Sequence, residues 1–164
     1  MGGEGIDAHQ IVTRLWVGSA PPFDRHLPAF SMLVLCAYEI QPAQLAFKGR
    51  VLRCPIDDAS PMSRTDLHHA LRASREVAAE LRRGGRALVT CAQGRNRSAL
   101  VASLAIIQTM RMPPATIIAR VRARRGPNAL SNPAFTEVLT RMARLTGDAA
   151  ASTPPPPPRR RARA

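Results

Sequence analysis

The stretch Ala87-Leu88-Val89-Thr90-Cys91-Ala92-Gln93-Gly94-Arg95-Asn96-Arg97-Ser98-Ala99-Leu100-Val101-Ala102 decides the fold. Two apolar runs flank a polar centre that contains a glycine, the pattern of strand, tight loop and helix. Cys91 stands at the strand end and Arg97 at the helix start. Loop N–H groups and the first helical turn converge there, and the helix dipole favours an anion. Arg97 adds a guanidinium fork suited to two phosphate oxygens. Ala92, Gln93, Gly94, Arg95, Asn96 and Arg97 are therefore the residues expected to hold a phosphoryl group. The same positive field favours the thiolate of Cys91. A thiolate against a bound phosphorus is arranged for covalent catalysis.

Outward from this loop, strands alternate with helices. Ile11-Val12 and Leu15–Gly18 read as an opening strand or hairpin, and Ser31–Ala37 as a strand buried on both faces. Val51–Ile56 is a further strand, with Pro55 marking its end or a sheet edge. A helix capped by Thr65 or Asp66 is expected to run to about Arg83, where Gly84-Gly85 stops it. Arg86–Thr90 is the next strand, followed by the loop and a buried helix to about Met110. Two more helices fit Ala115–Arg124 and Pro133–Leu145. This order predicts a single α/β domain with a central, largely parallel sheet flanked by helices. Catalytic loops in such folds lie at the carboxyl ends of strands, where Cys91 falls.

The 164 residues suffice for one domain, and 45% hydrophobic content allows a sizeable core. We expect an N-terminal arm over 1–10, the domain over 11–146 and a disordered tail over 147–164. That tail carries Pro154–Pro158 and then Arg159-Arg160-Arg161-Ala162-Arg163, an extended spacer with a basic tip. No apolar run is long enough for a membrane span and no signal peptide is read, so a cytoplasmic location is the default. The formal net charge is +13, nearly all from arginine, so anionic partners are expected, above all for the tail. Cys36, Cys54 and Cys91 make no disulfide framework. Cys36 and Cys54 read as small core residues, the alternative being a thiol that pairs with Cys91 on oxidation. No Cys/His cluster has metal-ligand spacing, so no metal or cofactor is expected.

With these elements in order, the chain resembles the dual-specificity branch of the cysteine-dependent protein tyrosine phosphatases over roughly residues 11–145. Leu15-Trp16-Val17-Gly18-Ser19 is similar to the family's first-strand signature, and Pro55-Ile56-Asp57-Asp58 to the stretch bearing its general acid. Cys91–Ser98 matches its signature loop, and Asn132-Pro133-Ala134-Phe135 its late Asn-x-x-Phe element. The resemblance implies that Cys91 attacks phosphorus and that Arg97 with the loop amides stabilises the transition state. It implies that Ser98 hydrogen-bonds the thiolate and assists its release. Asp58, or alternatively Asp57, protonates the leaving oxygen. The expected substrates are phosphorylated proteins.

Two features bear on substrate. Thr90 stands where the family usually has His before the cysteine, and a hydroxyl replaces only one of its hydrogen bonds, so reduced activity is expected. Asn96 also occurs before the arginine in RNA 5′-triphosphatases and related RNA phosphatases of the superfamily, so an RNA 5′-phosphatase or triphosphatase is the alternative and nucleic acid the less favoured substrate. A phosphate-binding protein without hydrolytic activity is the third reading.

Overall fold

Strand β5 (Ala87–Cys91) is buried at every residue and forms the middle of a five-stranded sheet. The computed structural model describes residues 5–151, with the side chains of 148–151 left undescribed. Strands β1 (Ala8–Val12), β2 (Leu15–Ser19), β3 (Met32–Ala37) and β4 (Arg50–Ile56) complete the sheet in the order β1-β2-β5-β3-β4. Only β1 runs antiparallel, folded back on β2 as a hairpin whose Arg14 has φ 65°. β4 is an edge strand, which is where Pro55 does no harm to the ladder. The arm expected over 1–10 gives its last three residues to β1. They were illegible as a strand because His9 and Gln10 face solvent on a sheet edge.

Four helices follow: α1 (Arg64–Arg82), α2 (Arg97–Met110), α3 (Pro114–Arg125) and α4 (Pro133–Ala151). Alternation along the strands divides the core. Val17, Val34, Cys36, Val89 and Cys91 join the helix-side cluster, while Leu33, Leu35 and Leu88 join Leu27, Phe30 and Phe47 on the other side. The helices thus lie on one face, and the segments joining β2–β3 and β3–β4 cover the other. Their apolar residues, including Phe23, Phe30 and Phe47, do the work expected of helices.

Helix α2 is buried continuously from Arg97 to Ile107 and packs on the sheet and on α1, α3 and α4. A helix apolar on all sides needs such a central position. Its register fixes where its first turn points, at the carboxyl end of β5.

Two element ends differ from expectation. Ser63, not Thr65 or Asp66, caps α1, because its hydroxyl accepts the Asp66 N–H at 3.0 Å. Helix α4 passes Leu145 and continues to Ala151. The Thr146 hydroxyl donates to the Met142 and Ala143 carbonyls, each at 3.1 Å. The alanines at 149–151 are the best helix formers, which offsets the cost of Gly147, about 1 kcal/mol. The proline–arginine segment of the expected tail lies outside the described residues. No helix among the described residues is long and apolar enough to cross a membrane.

Within α2 the Ser103 hydroxyl is fully buried and has no hydrogen-bond partner. An unsatisfied buried hydroxyl costs free energy that Ala does not. Ser103→Ala is expected to raise the free energy of urea unfolding by about 1 kcal/mol; an equal or lower value contradicts this account of the helix interior.

Candidate active site

The loop between β5 and α2 closes over a cleft of about 350 Å³ lined by Glu39, Asp58, Cys91, Arg95, Asn96, Arg97 and neighbouring residues. Gly94 makes the turn possible. Its φ is +63°, and a Cβ there would overlap the Gly18 carbonyl and the Arg125 guanidinium. Three loop carbonyls are turned outward by donors from elsewhere. Arg125 takes those of Gln93 (2.9 Å) and Gly94 (2.8 Å), and the Leu130 N–H takes that of Arg95 (3.0 Å). A trans peptide points its N–H opposite to its C=O. The N–H groups of Gly94, Arg95 and Asn96 are thereby aimed the other way, as an anion seat requires.

Arg125 is itself anchored. Its side chain is 4% exposed, and both carboxylate oxygens of Asp7 accept from it at 2.7 and 2.9 Å. The hydrogen bond from Arg125 holds the Asp7 carboxyl below its ordinary value, against the opposing effect of burial. The chain's N-terminal segment is in this way tied to the outer wall of the loop.

Cys91 and Ser98 meet at the bottom, with Sγ and Oγ 3.2 Å apart and both residues buried. Arg97 lines the same cleft as Cys91. Its Nη1 donates to Glu39 Oε2 (2.5 Å) and to the Ile56 carbonyl (3.2 Å), and its Nη2 donates to Glu39 Oε1 (2.6 Å). The hydrogen bond from Arg97 lowers the Glu39 carboxyl from its usual range, and Glu39 in turn raises the guanidinium. Arg97 Nε is buried with no partner. Glu39 therefore occupies one edge of the guanidinium and leaves the Nε–Nη2 edge for another two-oxygen acceptor.

Asp58 lines the cleft and its neighbour Asp57 does not. Asn96 Nδ2 donates to Asp58 Oδ2 and Asn132 Nδ2 to Asp58 Oδ1, each at 2.9 Å. The Thr90 hydroxyl donates to the Val34 carbonyl at 3.0 Å across the sheet rather than to the loop. Cys36 and Cys54 are fully buried free thiols; burial, then the neighbouring Cys54, pushes the Cys36 thiol well up. Cys36 shares with Cys91 and Thr90 the lining of a small hollow.

Glu39, Asn132 and Arg125 had no assigned role in the sequence. Nothing local in the sequence links Glu39 to Arg97. Asn132 sat within a quoted motif, which was the available signal, whereas Arg125 had none.

No protein-family model and no curated protein matches the chain. Solved structures do match it. A mouse protein described as a dual specificity phosphatase, solved with zinc tungstate, has 22% identity and a TM-score of 0.75 over 92% of this chain and 94% of its own. Human DUSP28 has 22% identity and a TM-score of 0.68 over 85% of this chain and 95% of its own. The human tyrosine phosphatase-like serine/threonine/tyrosine-interacting protein has 19% identity and a TM-score of 0.61, covering 89% of this chain and 99% of its own. The chain has the fold of the dual specificity phosphatases.

The Asp7–Arg125 pair gives a pH dependence with a definite sign. A carboxyl whose folded pKa is depressed stabilises the fold fully above its unfolded value of about 3.9 and loses that contribution as pH falls through the folded value. The stability gap between the wild type and Asp7→Asn, measured by urea unfolding, should be widest near neutral pH and shrink below about pH 4. A gap that is constant over this range contradicts the ion pair as the brace of the loop.

Proposed function

We propose that this protein is a cysteine-dependent phosphatase that hydrolyses phosphomonoesters of tyrosine, or of serine and threonine, on proteins. One observation carries the reading. The unpaired, buried Nε of Arg97, the outward-turned loop carbonyls and the first turn of α2 surround the space in front of Cys91. This is a seat for a tetrahedral dianion with a nucleophile beneath it.

The reaction follows from these groups. The Cys91 thiolate attacks phosphorus, forming the S–P bond as the bond to the leaving oxygen breaks. Asp58 delivers its proton to that oxygen, because an alkoxide or phenoxide leaves poorly unless protonated. Arg97 and the loop N–H groups take up the charge on the equatorial oxygens, whose geometry they complement most closely in the transition state. Water then attacks the cysteinyl phosphate and gives its proton to the Asp58 carboxylate. The S–P bond breaks and the Ser98 hydroxyl, 3.2 Å from Sγ, hydrogen-bonds the departing thiolate.

The engagement of Asn96 with Asp58 supports ordinary phosphomonoester chemistry over RNA 5′-phosphate chemistry. Asn96 has a task at the acid that needs no nucleotide. The net charge of +13 supports acidic or multiply phosphorylated protein partners.

Turnover of 4-nitrophenyl phosphate and of a phosphotyrosine peptide by the purified protein is the test. Cys91→Ser is expected to lose hydrolysis while still binding tungstate, and Asp58→Asn to slow the peptide reaction by about 10²–10⁴-fold. Wild-type rates from Cys91→Ser overturn the nucleophile. A wild-type protein that binds tungstate without turning over either substrate is a phosphate-binding protein rather than an enzyme.

A further inference from the structure

Asn96 occupies the N-cap position of α2, where asparagine is favoured because its side chain accepts a backbone N–H of the first turn. Here it makes no such bond. Its amide is turned away from the helix and used at both ends. Nδ2 donates to Asp58 Oδ2 at 2.9 Å, and Oδ1 accepts from the Ser131 N–H at 3.0 Å and the Ser131 hydroxyl at 3.4 Å. Two consequences follow. The first-turn N–H groups of α2 are not consumed by a cap and stay free to face the cleft. The acid loop is also bonded to the cradle itself.

Asn132 completes the arrangement from the other side. It is 7% exposed. Its Nδ2 donates to Asp58 Oδ1 at 2.9 Å and to the Ala59 carbonyl at 3.1 Å, while its Oδ1 accepts the Ala134 N–H at 3.0 Å. In both amides the acceptor end is engaged by a backbone donor, so the donor end must face Asp58. Asp58 sits in an irregular segment between β4 and α1, with no ladder or helix of its own to fix it. Its carboxyl position is set by these two amides.

We propose that Asn96 and Asn132 are positioning residues for the acid step, a clamp that holds the Asp58 carboxyl over the cradle and strengthens as the proton leaves. The proposal rests on the reading of Asp58 as general acid. Each carboxyl oxygen keeps a second lone-pair direction, so the acid proton sits on one oxygen while both accept from the amides. When that proton moves to the leaving oxygen, the P–O bond breaks and the S–P bond forms. The carboxylate so created is held by two N–H bonds that are now charge-assisted. The clamp thus binds the charge-separated transition state better than the ground state, which is the condition for a rate effect.

The experiment compares phenyl phosphate, whose leaving group needs the proton, with 4-nitrophenyl phosphate, whose leaving group needs it far less. Turnover of both is measured for wild type, Asn96→Ala, Asp58→Asn and the double variant. For Asn96→Ala the ratio of phenyl to 4-nitrophenyl turnover is expected to fall about tenfold, part of the range an acid contributes. In the Asp58→Asn background, adding Asn96→Ala should leave that ratio where Asp58→Asn alone puts it. Asn132→Ser retains a cap for α4 but loses the amide donor, and must show the same drop in ratio. Equal losses on both substrates, or effects that multiply in the double variant, overturn the clamp while leaving the phosphatase reading intact. An Asp58→Asn protein with an unchanged ratio overturns the acid assignment and the clamp with it. Absence of Cys91-dependent turnover on either substrate rejects the enzyme reading from which both follow.

Discussion

A guanidinium cannot be buried without a counter-charge, and the site is organised around that constraint. Arg97 is 7% exposed, and its charge is met by Glu39 from the segment after β3 and by the Ile56 carbonyl at the end of β4. Three pieces of chain that are remote in sequence are thus drawn to one point. The pairing is also directional. By taking the Nη1–Nη2 edge, Glu39 fixes which edge of the fork is left, and the buried Nε lies on it. The carboxyl ends of β3, β4 and β5 supply this convergence because they are parallel neighbours in the sheet.

Around that pair the cradle is held from outside. Arg125 and the Leu130 N–H take the loop carbonyls, and Asp7 secures Arg125. None of these groups faces the cleft, yet they set the direction of the amides that do. On the proposed reading such a loop is organised before an anion arrives, so little reorganisation is needed on binding. Thr90 spends its hydroxyl on the sheet, and the loop's support comes from the Arg125 side instead.

The parts that were legible in the sequence are those whose signal is local. Strand, loop and helix around Cys91–Ser98 follow from adjacent apolar runs and a glycine, and the fold class follows from their alternation with the other elements. The position of Asp58 was legible only through resemblance. Glu39 was not legible, because its partner is 58 positions away and a lone acid after a strand carries no pattern. Asn96 was visible as a loop residue, but its bond to Asp58 was not, since that bond spans 38 positions. The covering of one sheet face by loops was hidden for a different reason. Scattered phenylalanines without helical or strand spacing give no periodicity to read. The Ser63 cap was the signal two residues upstream of the positions considered, and α4 outran its apolar pattern into the alanines that follow.

On the proposed reading Glu39 orients Arg97 rather than standing in the anion's place. A crystal structure of the wild-type protein with tungstate bound tests it directly. Tungstate oxygens are expected within hydrogen-bond distance of Arg97 Nε and Nη2, about 2.7–3.2 Å, with Glu39 still on the Nη1–Nη2 edge. An anion seated on Nη1 and Nη2 with Glu39 displaced into solvent would contradict it.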